Sequence, residues 1–193
     1  MTAPELVAIG TSLGGLNALS ALLAGLPPGL AVPIVIVQHR AISSDGGGLA
    51  QLLQEHTPLT VVEAEDKMPI ESGTVYLAPA DYHLLIESRG LLALSTDPPV
   101  RAARPSIDVL FETAADAYRE GVLGVLLTGA SADGARGLAA IKAHGGRAIV
   151  QDPETAEART MPAAALSATA VDYVLPLSKI GEHLVTLVEG TRT

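Results

Sequence analysis

The chain has 193 residues, long enough for an ordinary domain with a substantial core. Its 12 Lys and Arg against 21 Asp and Glu leave a formal net charge of −9, which argues against nucleic acid or an anionic membrane surface as a partner. Apolar residues at 48% and charged residues at 17% exclude a disordered chain, and the absence of Cys excludes disulfides, thiolate metal sites and a cysteine nucleophile.

Covalent chemistry, if present, must therefore use an oxygen or nitrogen nucleophile. No apolar run approaches the ~20 residues of a bilayer-spanning helix. Met1 to Glu5 lack the basic start of a signal peptide. A soluble, cytoplasmic protein without membrane insertion is expected.

Taken in chain order, short apolar runs alternate with amphipathic stretches. Leu6 to Ile9 read as a buried strand, followed by a Gly-bearing turn and a helical stripe through Leu16, Leu19, Leu22 and Leu23. Pro33 to Val37 form a second strand, apolar on both faces as a parallel sheet requires. A Gly-rich loop at 46–48 precedes a short helix from Leu49 to Gln54, and Val61-Val62 and Thr74 to Leu77 add strands. His83 to Glu87 and Leu91 to Ser95 flank Ser88-Arg89-Gly90, the pattern of an antiparallel hairpin. Pro105 opens a helix carrying Ile107, Leu110, Phe111 and Ala114. Gly121 to Leu127, Gly146 to Val150 and Tyr173 to Leu175 complete the strands, each followed by helical sequence. The alternation predicts an α/β fold: a doubly wound, mostly parallel sheet with helices on both faces and one antiparallel β-hairpin. One domain over 1–193 is expected.

Gly10-Thr11-Ser12-Leu13-Gly14 fits G-x-S-x-G between the first strand and the first helix. Small flanking residues permit a tight turn that exposes the Ser12 hydroxyl, and the helix N-terminus behind it offers N–H groups to a developing oxyanion. The competing reading is a glycine turn that packs the helix or cradles a phosphate. The segment is not G-x-G-x-x-G, and no Lys follows it as in a P-loop.

A serine nucleophile needs a base, and His39 emerges at the carboxyl end of the second strand, where open parallel sheets place their sites. His56, His83, His144 and His183 fall where structural or surface roles are expected. A third group must hold the imidazole. Asp133 lies just past the Gly121–Leu127 strand, with a helix N-cap as its alternative role, and Asp152 competes from the next strand end. The chain order Ser, His, Asp disfavours an α/β-hydrolase, in which the acid precedes the histidine.

Val7 to Gly15, Val35 to His39, Arg104-Pro105-Ser106-Ile107-Asp108-Val109-Leu110-Phe111, Leu126 to Gly129 with Asp133-Gly134, and Met161-Pro162 together resemble the catalytic domain of chemotaxis protein-glutamate methylesterases of the CheB type. The resemblance runs in order over nearly the whole chain. It implies an esterase that removes methyl groups from glutamate side chains on the cytoplasmic helices of methyl-accepting chemoreceptors, with glutamine deamidation as a second activity. No metal or organic cofactor is implied. It also implies a Ser-His-Asp triad on Ser12, His39 and Asp133, and so prefers Asp133 to Asp152.

Two positions depart from the pattern: Leu13 stands where the family usually has Thr, and Ala130 where it usually has Met. Backbone N–H groups at both could still serve an oxyanion, beside a roomier and less apolar site. Arg104 and Met161 gain weight as substrate contacts. Relatives commonly carry an N-terminal receiver domain. Since the first strand begins by Leu6, none is expected here, a receiver would act in trans, and activity is expected without a phosphoryl donor. The alternatives to a hydrolase are a non-catalytic signalling adaptor with this fold and a nucleotide-binding domain.

Overall fold

A computed structural model of the chain describes residues 3–40 and 47–190, so residue 46 of the expected Gly-rich loop lies outside the described residues. Seven parallel strands form one sheet in the order β3-β4-β2-β1-β7-β8-β9. They are β1 (Leu6–Thr11), β2 (Ile34–Gln38), β3 (Thr60–Glu63), β4 (Thr74–Leu77), β7 (Val122–Leu126), β8 (Arg147–Gln151) and β9 (Tyr173–Leu175). The remaining strands, β5 (His83–Ser88) and β6 (Leu91–Ser95), pair antiparallel with each other in a separate two-stranded sheet.

Both faces of the parallel sheet are covered, which is why its strands are apolar without alternation. On one face Leu6, Ala8, Val35 and Val37 join the buried residues of α3 (Ile107–Tyr118), α4 (Ala135–Ala143), α5 (Thr160–Ala168) and the hairpin. On the other, Val7, Ile9, Ile34 and Ile36 meet α1 (Gly15–Ala24), α2 (Gly47–Gln54) and α6 (Leu177–Glu189). The register between β1 and its neighbours sets the layering: Ile9 stands beside Ile36 on one side and Val125 on the other.

The topology also positions the site. From β1 the chain winds outward through β2 to the β3 edge, then returns to the other side of β1 through β7 and out to β9. The winding direction therefore reverses between β1 and β7, and a doubly wound sheet opens its crevice at the carboxyl ends of such strands. Among the expected helical positions, Leu19, Leu22 and Leu23 are buried, whereas Leu16 is 41% exposed. It sits in the first turn of α1, at the mouth of this crevice rather than over the sheet.

Candidate active site

Three neighbouring strand ends supply the site. At the end of β1, Ser12 N–H donates to Thr128 O at 2.9 Å, and Gly15 N–H closes the turn on Ser12 O at 2.9 Å. Gly14 then enters α1 with φ of 78°, a left-handed conformation that is inexpensive only without a Cβ. From the other side the Thr128 hydroxyl donates to Leu13 O at 2.9 Å. The turn is thus pinned by backbone and neighbouring strands. It leaves Ser12 half-buried and Leu13 55% exposed.

At the end of β2, His39 N–H donates to Thr11 O at 3.0 Å, which extends the β1–β2 ladder by one residue. Its ring reaches across the end of β1, and Nε2 lies 2.7 Å from Asp133 Oδ2. The ring is 16% exposed and the carboxylate not at all. With Nε2 committed to the carboxylate, Nδ1 is the nitrogen left for a reacting group. Ser12 and His39 line one open groove of about 510 Å³, together with Leu13, Leu16, Gln38 and Glu157.

Asp133 is not the N-cap of its own helix. That position belongs to Gly134, without a side-chain cap. The carboxylate instead crosses to the start of α3. Oδ2 accepts from Ile107 N–H at 2.7 Å, and Oδ1 accepts from Asp108 N–H at 3.0 Å and from the Ser106 hydroxyl at 2.9 Å. Asp108 returns the arrangement: its Oδ1 accepts from Gly134 N–H at 2.9 Å and Gly137 N–H at 2.8 Å, at the start of α4. Each helix is therefore capped by an aspartate of the other, satisfying N–H groups that a helix start leaves open. Burial alone would raise the Asp133 pKa. The bond from His39 and the backbone donors of Ile107 and Asp108 outweigh it and hold the carboxyl below its ordinary value.

The other expected residues fall in different places. Asp152 caps a short 3₁₀ turn, Pro153–Thr155, by accepting from Glu154 N–H at 3.0 Å, and takes no part in holding His39. Ala130 is exposed on the loop after β7. That loop is fastened by Gly129 N–H to Ala158 O at 3.0 Å and Met161 N–H to Gly129 O at 2.8 Å. Met161 itself has no exposed surface and packs beneath Gly129, so it shapes the loop from below instead of facing the groove. Arg104 is spent on its own neighbourhood: Nε donates to Asp81 at 2.9 Å, and Nη1 donates to Thr96 O at 2.9 Å and Asp97 O at 3.2 Å. Met161 thus belongs to the core, and Arg104 ties neighbouring loops together.

His83 is buried and accepts from Ser106 N–H through Nδ1 at 3.2 Å, which steadies the residue that in turn holds Asp133. His56 is exposed, His144 sits 3.4 Å from Asp116, and His183 packs edge-on against Tyr173. Among the described residues no group of three or more His, Asp or Glu side chains converges to hold a metal.

Sequence reasoning assigns no role to Asp108, Gln38 or Glu157, although the first two lie within the segments that carry the resemblance. Asp108 had a legible signal, an acid in the first turn of a helix opened by Pro105, but its partner helix was not legible. Glu157 lies over Gly14, where an added Cβ would come within 2.8 Å of its own Cβ.

A doubly wound α/β protein, with a serine on a strand-to-helix turn and an aspartate-bound imidazole at the adjoining strand end, has the makings of a serine hydrolase. Comparison with known proteins narrows this. The family model for the CheB methylesterase matches residues 7–184. A relative from Leptospira interrogans, which carries a protein-glutamate methylesterase/protein-glutamine glutaminase name, is 50% identical over 183 residues, 95% of this chain and 94% of the relative. The protein-glutamate methylesterase FrzG of Myxococcus xanthus is 42% identical over 186 residues, covering 95% of this chain and 55% of FrzG. The crystal structure of the Thermotoga maritima CheB methylesterase catalytic domain superposes with a TM-score of 0.88 at 36% identity, covering 97% of this chain and all of that one. The chain belongs to the CheB methylesterase family, a family of carboxylic-ester hydrolases.

Proposed function

We propose that the protein hydrolyses methyl esters of glutamate side chains, and the corresponding glutamine amides, on helices of cytoplasmic chemoreceptor domains. The observation that carries the reading is the 2.7 Å contact between His39 Nε2 and a fully buried Asp133, at a groove that also holds Ser12. An imidazole held this way is fixed in orientation and tautomer, so Nδ1 can receive a proton.

Ser12 Oγ attacks the ester carbonyl carbon while its proton passes to His39 Nδ1. The carbonyl oxygen becomes an oxyanion beside the backbone N–H groups at the start of α1, where main-chain donors suit developing negative charge. Collapse of the tetrahedral species breaks the bond to methoxide, which leaves as methanol with the proton from His39. Water then attacks the Ser12 ester, His39 again takes the proton, and the carboxylate product departs as Ser12 regains its hydrogen. A glutamine amide follows the same course with ammonia as the leaving group. The groove is open rather than a closed pocket, which suits a side chain presented by a helix. No helix among the described residues is long and apolar enough to cross a membrane, in keeping with a substrate reached from solution.

The test is a serine-directed fluorophosphonate with mass spectrometry, together with methanol release from methylated receptor. The expected result is a single adduct on Ser12 and, in Ser12→Ala, a loss of turnover of about 10⁴-fold or more with the fold intact. Methanol release by Ser12→Ala at the wild-type rate would end the hydrolase reading and leave a binding role.

A further inference from the structure

Gln38 is the last residue of β2, next to His39, and its amide reaches sideways to the end of β1. Nε2 donates to Ser12 O at 2.9 Å and to His39 O at 3.0 Å, so both amide hydrogens are spent on main-chain carbonyls. These belong to the residues read above as nucleophile and base. The orientation is fixed by chemistry, since a reversed amide would set its oxygen against two carbonyl oxygens. Oε1 is meanwhile buried without a partner. It lies against Gly15, where a side chain larger than hydrogen would collide with it.

A buried acceptor without a donor is a cost, which the amide carries together with its two donated bonds. The geometry therefore favours a role for the two donors beyond filling space. Neither end of this bridge is replaceable by the sheet ladder. The parallel β1–β2 register ends at Thr11 and Gln38, and the last ladder-like bond is His39 N–H to Thr11 O. Beyond it, Gln38 is the side chain that spans from one strand end to the other.

We propose that Gln38 is a positioning residue: its amide locks the Ser12 turn to the His39 backbone, and so fixes the distance and angle between nucleophile and base. The inference rests on the proposed function, because it assigns Gln38 to the alignment of those two groups. It acts through them and touches no substrate. Misalignment of a reacting pair by a fraction of an ångström slows chemistry without changing ground-state binding.

The experiment compares wild type with Gln38→Met, which removes both donors at similar length, and Gln38→Glu, which leaves an acceptor-only carboxylate facing two carbonyl oxygens. For both variants kcat for ester hydrolysis and the rate of Ser12 phosphonylation should fall about 10- to 100-fold. KM should stay within about twofold, and Gln38→Met should melt within a few degrees of wild type, since relief of the unpaired oxygen offsets part of the two lost bonds. If Gln38→Met keeps wild-type kcat and phosphonylation rate, or if its loss is wholly accounted for by a smaller folded fraction, the role is structural and the proposal is wrong. Should that variant not fold, Gln38→Glu is judged by the same criteria. Ser12→Ala runs alongside. Loss of turnover in Ser12→Ala beside an unimpaired Gln38→Met overturns this inference alone, whereas full turnover in Ser12→Ala overturns the hydrolase reading and this inference with it.

Discussion

Ser12 and Asp133 stand at the ends of adjacent strands, yet their surroundings differ in kind. The serine turn is shaped by main-chain bonds and glycines, its next residue is more than half exposed, and the groove opens over it. The aspartate is 1% exposed and receives five donors: His39, Ser106, and the N–H groups of Ile107, Asp108 and Gly134. In the proposed mechanism Ser12 must form and break bonds with a large partner, and it is left accessible. The same mechanism needs Asp133 charged and still, and it is over-determined by the contacts that hold α3 against α4. Catalytic damage and structural damage should therefore separate on one side of the groove and coincide on the other.

The largest effect that probes this contrast is at the aspartate. Asp133→Asn should cut kcat by about 10⁴-fold, as loss of the acid does in a serine-protease triad. Unlike Ser12→Ala it should also destabilise, by about 1–3 kcal/mol, because one oxygen becomes an NH₂ facing donors that need an acceptor. Denaturant unfolding of both variants checks the pair, and equal stability in the two would remove the distinction. Asp108→Ala comes next. It leaves the Gly137 N–H buried without this acceptor and the Gly134 N–H with Asp133 Oδ1 alone, and should cost about 1–3 kcal/mol. Through the displaced start of α4 it should also lower kcat by about tenfold. A stable, fully active variant would mean that the reciprocal caps are incidental.

Acid should act on the aspartate side. Asp133 is held below its unfolded value, so its contribution to stability is fully present above the ordinary aspartate range near about 3.9 and is lost as pH falls through the lower folded value. Comparing unfolding free energies at pH 6 and pH 3, wild type should lose more than Asp133→Asn, and equal losses would contradict the assignment. The smallest effect belongs to the exposed side. Leu13→Thr restores the hydroxyl usual in the family at a surface position, and should raise turnover a fewfold while leaving stability within about 0.5 kcal/mol. A fall in turnover would indicate that Leu13 is fitted to its substrate.

Much of this architecture is legible before any coordinates. Apolar runs such as Ile34 to Val37 mark strands buried on both faces, and Gly10 to Gly14 around Ser12 mark a turn whose conformation few other residues permit. These are local properties, set by solvation and by backbone sterics within a few residues. His39 is legible too, since a polar residue closing an apolar strand falls at the carboxyl end. Asp133 was less so: composition and spacing left Asp152 equally placed, and only family resemblance favoured the former. Leu16, exposed at the groove, and Met161, buried beneath Gly129, show that an apolar side chain signals burial in general and not which surface covers it.

What only the tertiary structure decides is which distant groups meet. The hairpin reads clearly from its turn, but its separation from the parallel sheet does not, because strand order depends on packing of both faces at once. The exchange of caps between Asp108 and Asp133 joins residues 25 apart, and it exists because α3 and α4 run close enough for Gly137 to lie against the Asp108 backbone. The span of Gln38 from one strand end to the next is likewise set by the β1–β2 register. Sequence by itself determines the elements, the serine turn and the place of His39 at a strand end, since solvation and φ/ψ limits act along the chain. The carboxylate's charge, the imidazole's orientation and the alignment of the pair are set by hydrogen bonds across the chain, which have no direction until the sheet and its helices are in place.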